Sequence, residues 1–300
     1  MAETNRPTLQ NSMTAGEYLA IALERSEEVR MQTKVKLNVE YGSEDRQKID
    51  LYLPDSASTG QLPVFLFIHG GYWVLGHKDT LGFMAPAITC LPAIFVAVGY
   101  RLAPGTKYPG AVDDCRDAVK WAYENIADYG GDPERIFVGG HSAGGHLAAL
   151  ITLQRDSLKR LGLPKNVIKG CLTVSGIFDV ADTPVERREA FLNTPEEATE
   201  ASPLAHVAGN HVPFLLEISE HDFPNLKAQH PVMFQALQQQ PGRVEVMERP
   251  ALNHFQISLD NGEERGVWAK KVRQWLADPP LPMTDHLVED NQDSVEGGLP

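Results

Sequence analysis

Residues 135–150 read RIFVGGHSAGGHLAAL, and this stretch decides the fold class of the 300-residue chain. Its first part is a short apolar run that predicts a buried strand, and its last part has the small and apolar residues of a buried helix. Ser142 lies between the two, inside the pattern Gly-x-Ser-x-Gly. The glycines permit a sharp strand-to-helix turn that holds the serine hydroxyl out at the end of the sheet. The stretch therefore predicts a strand, a nucleophilic serine and a helix in succession.

The same alternation of strand and helix continues on both sides of this stretch. Short apolar runs that predict strands occur at 63–69, 93–98, 135–139, 168–174, 213–218 and 244–248. Helical patterns cover residues 111–129, 143–155, 225–239 and 263–277. Continuous apolar strands that alternate with helices indicate an α/β protein with a mostly parallel central sheet and helices on both faces. Ahead of them, residues 35–53 form two alternating runs around a turn, which predicts an antiparallel hairpin.

The length of the chain allows one large core, so we expect a single domain over residues 14–278. Within it, residues 180–210 break the alternation and are rich in Glu and Pro, and we expect a small cap insertion over the ends of the strands. Residues 1–13 are polar and are predicted to form a flexible N-terminus, ahead of a helix capped by Thr14. The tail at 279–300 is acidic and lacks Lys and Arg, which predicts a flexible segment.

The overall charge and composition argue against several classes of partner. A formal net charge of -13 disfavours nucleic acid, because phosphate binding needs a basic face. No apolar run approaches the roughly 18 residues of a membrane span, and the N-terminus lacks the pattern of a secretory signal. The three cysteines form no metal-binding spacing. We therefore expect a cytoplasmic protein without membrane partner, cofactor or metal, and leave open whether it forms a homodimer.

A second glycine-rich motif, His-Gly-Gly-Tyr-Trp at 69–73, directly follows a predicted strand. Glycines here let the backbone approach a substrate and turn N–H groups toward it, as an oxyanion hole requires. The N–H of Ala143, at the start of the helix after the serine, would add a further donor. An ordinary glycine turn is the alternative interpretation of this motif.

A serine hydroxyl is a weak nucleophile at neutral pH and needs a base and a group that orients that base. Asp222 follows a predicted strand, where the loop can carry its carboxylate toward the serine. Its rivals are Glu217, inside the strand, and Glu220, early in the loop. Among ten histidines, His254 is favoured because it lies between the last predicted strand and the last predicted helix. The sequence thus predicts Ser142 as nucleophile, His254 as base and Asp222 as acid.

Four motifs together resemble a known family. The stretches HGGYW at 69–73, YRLAP at 100–104, YPGAVDD at 108–114 and GHSAGGHLAA at 140–149 are similar to the hormone-sensitive-lipase-like branch of the α/β hydrolases. Within that branch, HGGYW with GHSAGG and NHF at 253–255 is most similar to kynurenine formamidase, also called arylformamidase. The resemblance covers about residues 35–276.

The resemblance implies the α/β-hydrolase fold and a serine hydrolase without cofactor, in which Ser142, Asp222 and His254 form a catalytic triad. It also implies an oxyanion hole made by the backbone N–H groups of Gly71, Tyr72 and Ala143. Its typical substrate is N-formyl-L-kynurenine, an intermediate of tryptophan catabolism, with side activity on small aryl esters. Trp73 and Phe255 are the candidate substrate-binding residues, although Trp73 could instead pack beneath its loop.

Two other functions remain open at this stage. HGGxW also occurs in carboxylesterases and in hydrolases of secondary metabolism, which act on larger esters or amides. A ligand-binding receptor that keeps the fold without turnover is the non-enzyme alternative, because a fold does not fix a function. The partner expected in every case is a small molecule, and for the hydrolases it is an ester or amide substrate.

Overall fold

The computed structural model describes residues 13–55 and 61–279 of the chain. The flexible termini expected at 1–13 and 279–300 lie outside this part, apart from Met13 and Pro279. Among the described residues, no helix is long and apolar enough to span a membrane.

One sheet of eight strands runs through the described part of the chain, in the order β1-β2-β4-β3-β5-β6-β7-β8. β1 pairs with β2, and β2 with β4, in antiparallel fashion, and every other pair of neighbours is parallel. The mostly parallel sheet and the N-terminal antiparallel hairpin are thereby confirmed. The strands are β1 (Lys34–Glu40), β2 (Lys48–Leu53), β3 (Leu62–Ile68), β4 (Ile94–Val98), β5 (Gly131–His141), β6 (Ile168–Val174), β7 (Phe214–His221) and β8 (Val244–Asn253).

Helices cover both faces of the sheet, as predicted. They are α1 (Ala15–Gln32), α2 (Ala85–Thr89), α3 (Gly110–Asn125), α4 (Ala143–Leu153), α5 (Arg155–Arg160), α6 (Val185–Phe191), α7 (Glu197–Glu200), α8 (Pro224–Gln238), α9 (His254–Asp260) and α10 (Val267–Ala277). Between β6 and β7, the segment expected to form a cap contains α6 and α7, followed by a 3₁₀ turn at Pro203–His206.

The central strand β3 shows why the sheet needs cover on both faces. All seven of its residues are buried, and successive side chains point to opposite sides. Val64, Leu66 and Ile68 join one core with α3, α4 and α8, whereas Phe65 and Phe67 join the other with α1, α2, α9 and α10. A strand that is apolar at every position can be buried only between two layers of helices.

Three predicted helices have different bounds in the structure. The helix expected at 111–129 ends at Asn125, and a 3₁₀ turn follows at Ile126–Tyr129. The helix expected at 263–277 begins only at Val267, because residues 263–266 form a turn in which the N–H of Gly266 donates to the carbonyl of Glu263. The helix expected at 143–155 ends at Leu153, and α5 follows as a separate element after Gln154 leaves the helical conformation.

A buried ionic cluster joins the last two strands to α9. Arg249 on β8 donates to the Glu217 carboxylate on β7 over 2.7 Å, and Asn261 donates to the other oxygen of that carboxylate over 2.6 Å. Arg249 also pairs with Asp260 at the end of α9. Burial raises the pKa of Glu217 to about 7, against the opposing effect of Arg249. The cluster fixes the position of α9, whose first residue is His254.

We predict that Arg249→Met destabilises the fold by about 3–5 kcal/mol, because it leaves a buried carboxylate without its cation. Arg243→Met is the matched control, since Arg243 pairs with Glu245 over 3.0 Å while half exposed, and we expect it to cost less than about 1 kcal/mol. Urea unfolding of both variants measures the difference. Equal losses of unfolding free energy would contradict the structural role assigned to the cluster.

Candidate active site

Ser142 lies in the sharp turn between β5 and α4, at the carboxyl end of the central strands. Its backbone has φ 57° and ψ -120°, a conformation that residues with a side chain rarely adopt. Two hydrogen bonds hold it there: its N–H donates to the carbonyl of Val174 over 2.8 Å, and its carbonyl accepts from the N–H of His146 over 3.0 Å. The serine side chain is therefore fixed at the end of the sheet.

The glycines around the serine are required by close packing. A Cβ on Gly144 would overlap the carbonyl of Ile68 on β3, and a Cβ on Gly140 would overlap the backbone of Gly144. At Gly70, a Cβ would lie 3.1 Å from the Cβ of Ser142. The start of α4 thus sits directly against β3 and against the glycine loop that follows β3.

Asp222 and His254 come together at the same end of the sheet. Asp222 follows β7, His254 opens α9 after β8, and Nδ1 of His254 lies 2.7 Å from Oδ1 of Asp222. The side chain of Asn253 caps α9 by accepting from the N–H groups of Phe255 and Gln256, each over 3.0 Å. Because the Asn253 side chain fixes the first turn of α9, it also fixes the direction of the His254 imidazole.

The Asp222 carboxylate is satisfied by several donors besides the histidine. Ser175 and Ser219 donate their hydroxyls to Oδ2, the latter over 2.6 Å, and the N–H of Phe223 donates to Oδ1 over 2.8 Å. Burial raises the pKa of Asp222, but the hydrogen bonds from His254 and the two serines outweigh it and hold the pKa below its usual range. The carboxylate is therefore ionised and accepts the Nδ1–H of His254, which leaves Nε2 free to accept a proton.

Ser142 and His254 open onto one cavity of about 210 Å³. Parts of the chain that are distant in sequence form its walls: the loop after β3, the N-terminal helix α1, helix α6, and the segments that carry Asp222 and His254. The wall is largely apolar and includes Tyr18, Leu19, Tyr72, Leu75, Phe223 and Phe255. Tyr18 of α1 stacks on Phe255 with 5.7 Å between ring centroids, so α1 covers one side of the site.

A second, larger groove lies elsewhere, near Gln154, and has a volume of about 840 Å³. It is lined by charged side chains, among them Arg155 and Glu197, and neither Ser142 nor His254 reaches it. The smaller cavity is therefore the candidate active site.

The loop after β3 lies beside the serine and has an unusual backbone conformation. Gly71, Tyr72 and Trp73 have φ of 120°, 50° and 63°, so three successive residues adopt the left-handed region. Among the described residues, none accepts a hydrogen bond from the N–H groups of Gly71, Tyr72 or Ala143. Free donors on such a backbone form a concave site for an anion. Gly70, which the motif HGGYW contains but which was not among the predicted donors, also lines the cavity and adjoins Ser142.

Of the two placements that the sequence left open for Trp73, the structure shows the one beneath its loop. Its side chain is fully buried and does not line the cavity, whereas Phe255 does. The indole stacks on Phe191 of α6 at 4.2 Å and donates from Nε1 to Nδ1 of His146 over 3.0 Å. His146 in turn donates from Nε2 to the carbonyl of Ala201 over 2.7 Å. Trp73 therefore packs beneath its loop and joins that loop to α4 and the cap.

Two further histidines adjoin the site and are neutral. His69 stacks on Tyr100 at 4.2 Å, and His141 donates from Nε2 to the carbonyl of His254 over 2.9 Å, with 4.6 Å between the two rings. Burial lowers the pKa of both His69 and His141 to about 3. Among the described residues, no group of three or more His, Cys, Asp or Glu side chains is placed to hold a metal ion.

Comparison with known sequences identifies relatives over most of the chain. Residues 65–206 match a family described as having the alpha/beta hydrolase fold. Kynurenine formamidase of Salmo salar is 30% identical over 244 residues, which cover 78% of this chain and 79% of that protein. The kynurenine formamidase of Danio rerio is also 30% identical, over 77% of this chain and 78% of its own. Carboxylesterase NlhH of Mycobacterium tuberculosis is 48% identical over 97 residues, 32% of this chain and 30% of that enzyme.

Solved structures share the same fold. A hyperthermophilic esterase from Pyrobaculum calidifontis superimposes with a TM-score of 0.71 at 22% identity, over 87% of this chain and 90% of its own. The carboxylesterase EstE1, from a metagenomic library, has a TM-score of 0.69 at 24% identity, over 88% of this chain and 98% of its own. The sheet, the serine turn and the extent of the sequence matches lead to one conclusion: this chain belongs to the α/β-hydrolase family and is an enzyme of the serine hydrolase type.

Proposed function

We propose that the protein hydrolyses small aryl formamides and short-chain aryl esters through an acyl-enzyme intermediate. Ser142 is the nucleophile, His254 the general base and Asp222 the group that orients the base. The observation that carries this proposal is the buried 2.7 Å contact between His254 and Asp222, behind a cavity onto which both His254 and the strained Ser142 open.

In the proposed first step, Nε2 of His254 takes the hydroxyl proton of Ser142 while Oγ attacks the substrate carbonyl. The carbonyl oxygen becomes an oxyanion, and the N–H groups of Gly71, Tyr72 and Ala143 donate to it. Collapse of this intermediate breaks the bond to the leaving group, which takes the proton from His254. Water then repeats the sequence on the acyl-enzyme and releases the acid.

The backbone N–H groups of the proposed oxyanion hole lower the free energy of the transition state. An oxyanion-hole donor contributes about 3 kcal/mol to the stabilisation of the transition state, provided that it is already in place. The left-handed conformations of Gly71 and Tyr72 and the fixed start of α4 hold the donors before the substrate arrives. These N–H dipoles therefore need no reorientation to stabilise the negative charge that develops on the substrate oxygen in the transition state.

The volume and the aromatic lining of the cavity favour a small substrate with an aromatic part. Its volume of about 210 Å³ is below the 300–1,000 Å³ that is usual for sites of drug-sized ligands. Tyr18, Phe223 and Phe255 offer aromatic surfaces beside the serine and the histidine. Since two kynurenine formamidases match over 78% and 77% of the chain, N-formyl-L-kynurenine is the best named substrate, and tryptophan catabolism the corresponding pathway.

A short-chain carboxylesterase is the second candidate. The 48% identity to a carboxylesterase over 97 residues favours it, and the same triad can open esters as well as amides. A pathway hydrolase for a large ester is less compatible with so small a cavity. A ligand-binding receptor is disfavoured because the named relatives are enzymes.

Several predictions from the sequence complete this proposal. They are one domain over residues 14–278 with a cap at 180–210, a cytoplasmic location, and no nucleic acid, membrane or cofactor as partner. The net charge of -13 supports the exclusion of nucleic acid. A homodimer remains open.

We predict that Asp222→Asn lowers kcat about ten-thousandfold, because the amide no longer holds His254 in the tautomer that accepts a proton at Nε2. Glu220→Gln is the matched control. Glu220 lies two residues away and accepts from the N–H of Ala251 outside the cavity, so we expect its kcat to change less than about threefold. If Glu220→Gln abolished activity and Asp222→Asn did not, the assignment of the acid would be wrong.

The substrate proposal is tested by steady-state assays of N-formyl-L-kynurenine beside 4-nitrophenyl esters of two to eight carbons, with Ser142→Ala as the inactive control. We expect the formamide to exceed every ester in kcat/KM by at least about a hundredfold, which corresponds to about 2.7 kcal/mol of transition-state discrimination. Good turnover of short esters beside weak turnover of the formamide would instead establish the carboxylesterase.

A further inference from the structure

A single cationic side chain, Arg187, stands at the wall of the catalytic cavity. It belongs to α6, in the cap segment, and is the one Lys or Arg among the described residues that line this cavity. Its guanidinium carbon lies 5.8 Å from the centre of the Tyr72 ring. The arginine is thereby placed over the same loop that presents the candidate oxyanion donors.

The guanidinium of Arg187 has no polar partner within the described residues. Arg188, its neighbour on α6, donates to the carbonyl of Ala181 over 2.6 Å, whereas no hydrogen bond or ion pair forms at the Arg187 side chain. Glu186 and Glu189 share the helix but do not line the cavity. The donors of Arg187 are therefore free for a ligand, since the face of an aromatic ring leaves the N–H edge of a guanidinium accessible.

The other titratable groups on the cavity wall do not compete with this charge. Burial holds the pKa of His69 and His141 at about 3 and raises the pKa of Tyr72, so these groups are neutral near pH 7. Asp222 is ionised, but it does not line the cavity and its oxygens are occupied by His254 and three other donors. The exposed Arg187 is therefore the one permanent positive charge that an entering ligand meets among the described residues of this largely apolar wall.

This arrangement has a consequence for the substrate, because the whole chain carries a net charge of -13. Such a protein repels anions on average, and a local cation at the site reverses that effect within about 8–10 Å at physiological salt. A guanidinium also matches the two oxygens of a carboxylate with two parallel hydrogen bonds. A neutral substrate would gain no electrostatic binding free energy from the Arg187 side chain.

We propose that Arg187 binds a carboxylate of the substrate and makes the enzyme selective for aromatic esters or amides that carry one. This inference rests on the proposed function, because it requires that hydrolysis takes place in the cavity of Ser142. Arg187 acts in binding, so its loss raises KM and leaves the chemical step unchanged.

The test compares substrates that differ only by a carboxylate. One pair, phenyl acetate and 3-acetoxybenzoate, places the charge on the leaving group. The other, 4-nitrophenyl butyrate and mono-4-nitrophenyl succinate, places it on the acyl group. We expect Arg187→Gln to raise KM about tenfold for the charged member of at least one pair, with kcat within about twofold and the neutral member unaffected. Added salt should raise the wild-type KM for that charged ester in the same way.

Arg160→Gln is the matched control, because it removes the same charge from an exposed position outside the cavity. We expect it to leave both pairs unchanged. If wild-type enzyme hydrolyses these esters but Arg187→Gln affects charged and neutral members alike, or affects neither, then Arg187 does not bind a carboxylate and only this inference fails. If wild-type enzyme hydrolyses no member of either pair and no formamide, the proposed function fails and the inference fails with it.

Discussion

The close contact between the start of α4 and the central strands is the constraint on which the site depends. Gly140 and Gly144 allow backbone to meet backbone where any side chain would collide. This contact holds the start of α4 against Ile68 and His69, directly after the positive-φ residue Ser142. Strain of this kind costs about 1–3 kcal/mol and persists only where the surroundings over-determine it. Here the surroundings are the buried sheet and a helix that is buried at every position.

The electrostatics of the site follow from burial. Histidines that are enclosed, such as His69, His141 and His146, lose their charged form because no water solvates it. Asp222 keeps its charge because hydroxyl and amide donors replace the lost water. The result is one ionised carboxylate beside His254 and a neutral imidazole, that of His141, 4.6 Å from its ring. In the proposed mechanism, Asp222 therefore stabilises the positive charge that forms on His254 during proton transfer.

Most of the fold could be predicted from the sequence, and so could the residues that the proposed mechanism uses, because both follow local patterns. Continuous apolar strands imply cover on both faces, and the glycines of a strand-to-helix turn imply an exposed serine. The start of α9 was missed, although Asn253 and Gln256 form a capping box that signals it. Trp73 and Arg187 could not be placed, because their roles depend on how the cap and α1 pack over the site. No pattern along the chain encodes that packing.

The central claim is that the fold activates one particular serine, and covalent labelling tests it most directly. The protein is treated with a fluorophosphonate, its intact mass is measured, and the modified peptide is sequenced. The account predicts one adduct per chain, on Ser142, formed together with loss of hydrolysis and absent from Ser142→Ala. An adduct on another residue, or full hydrolytic activity in a protein labelled at Ser142, would contradict it.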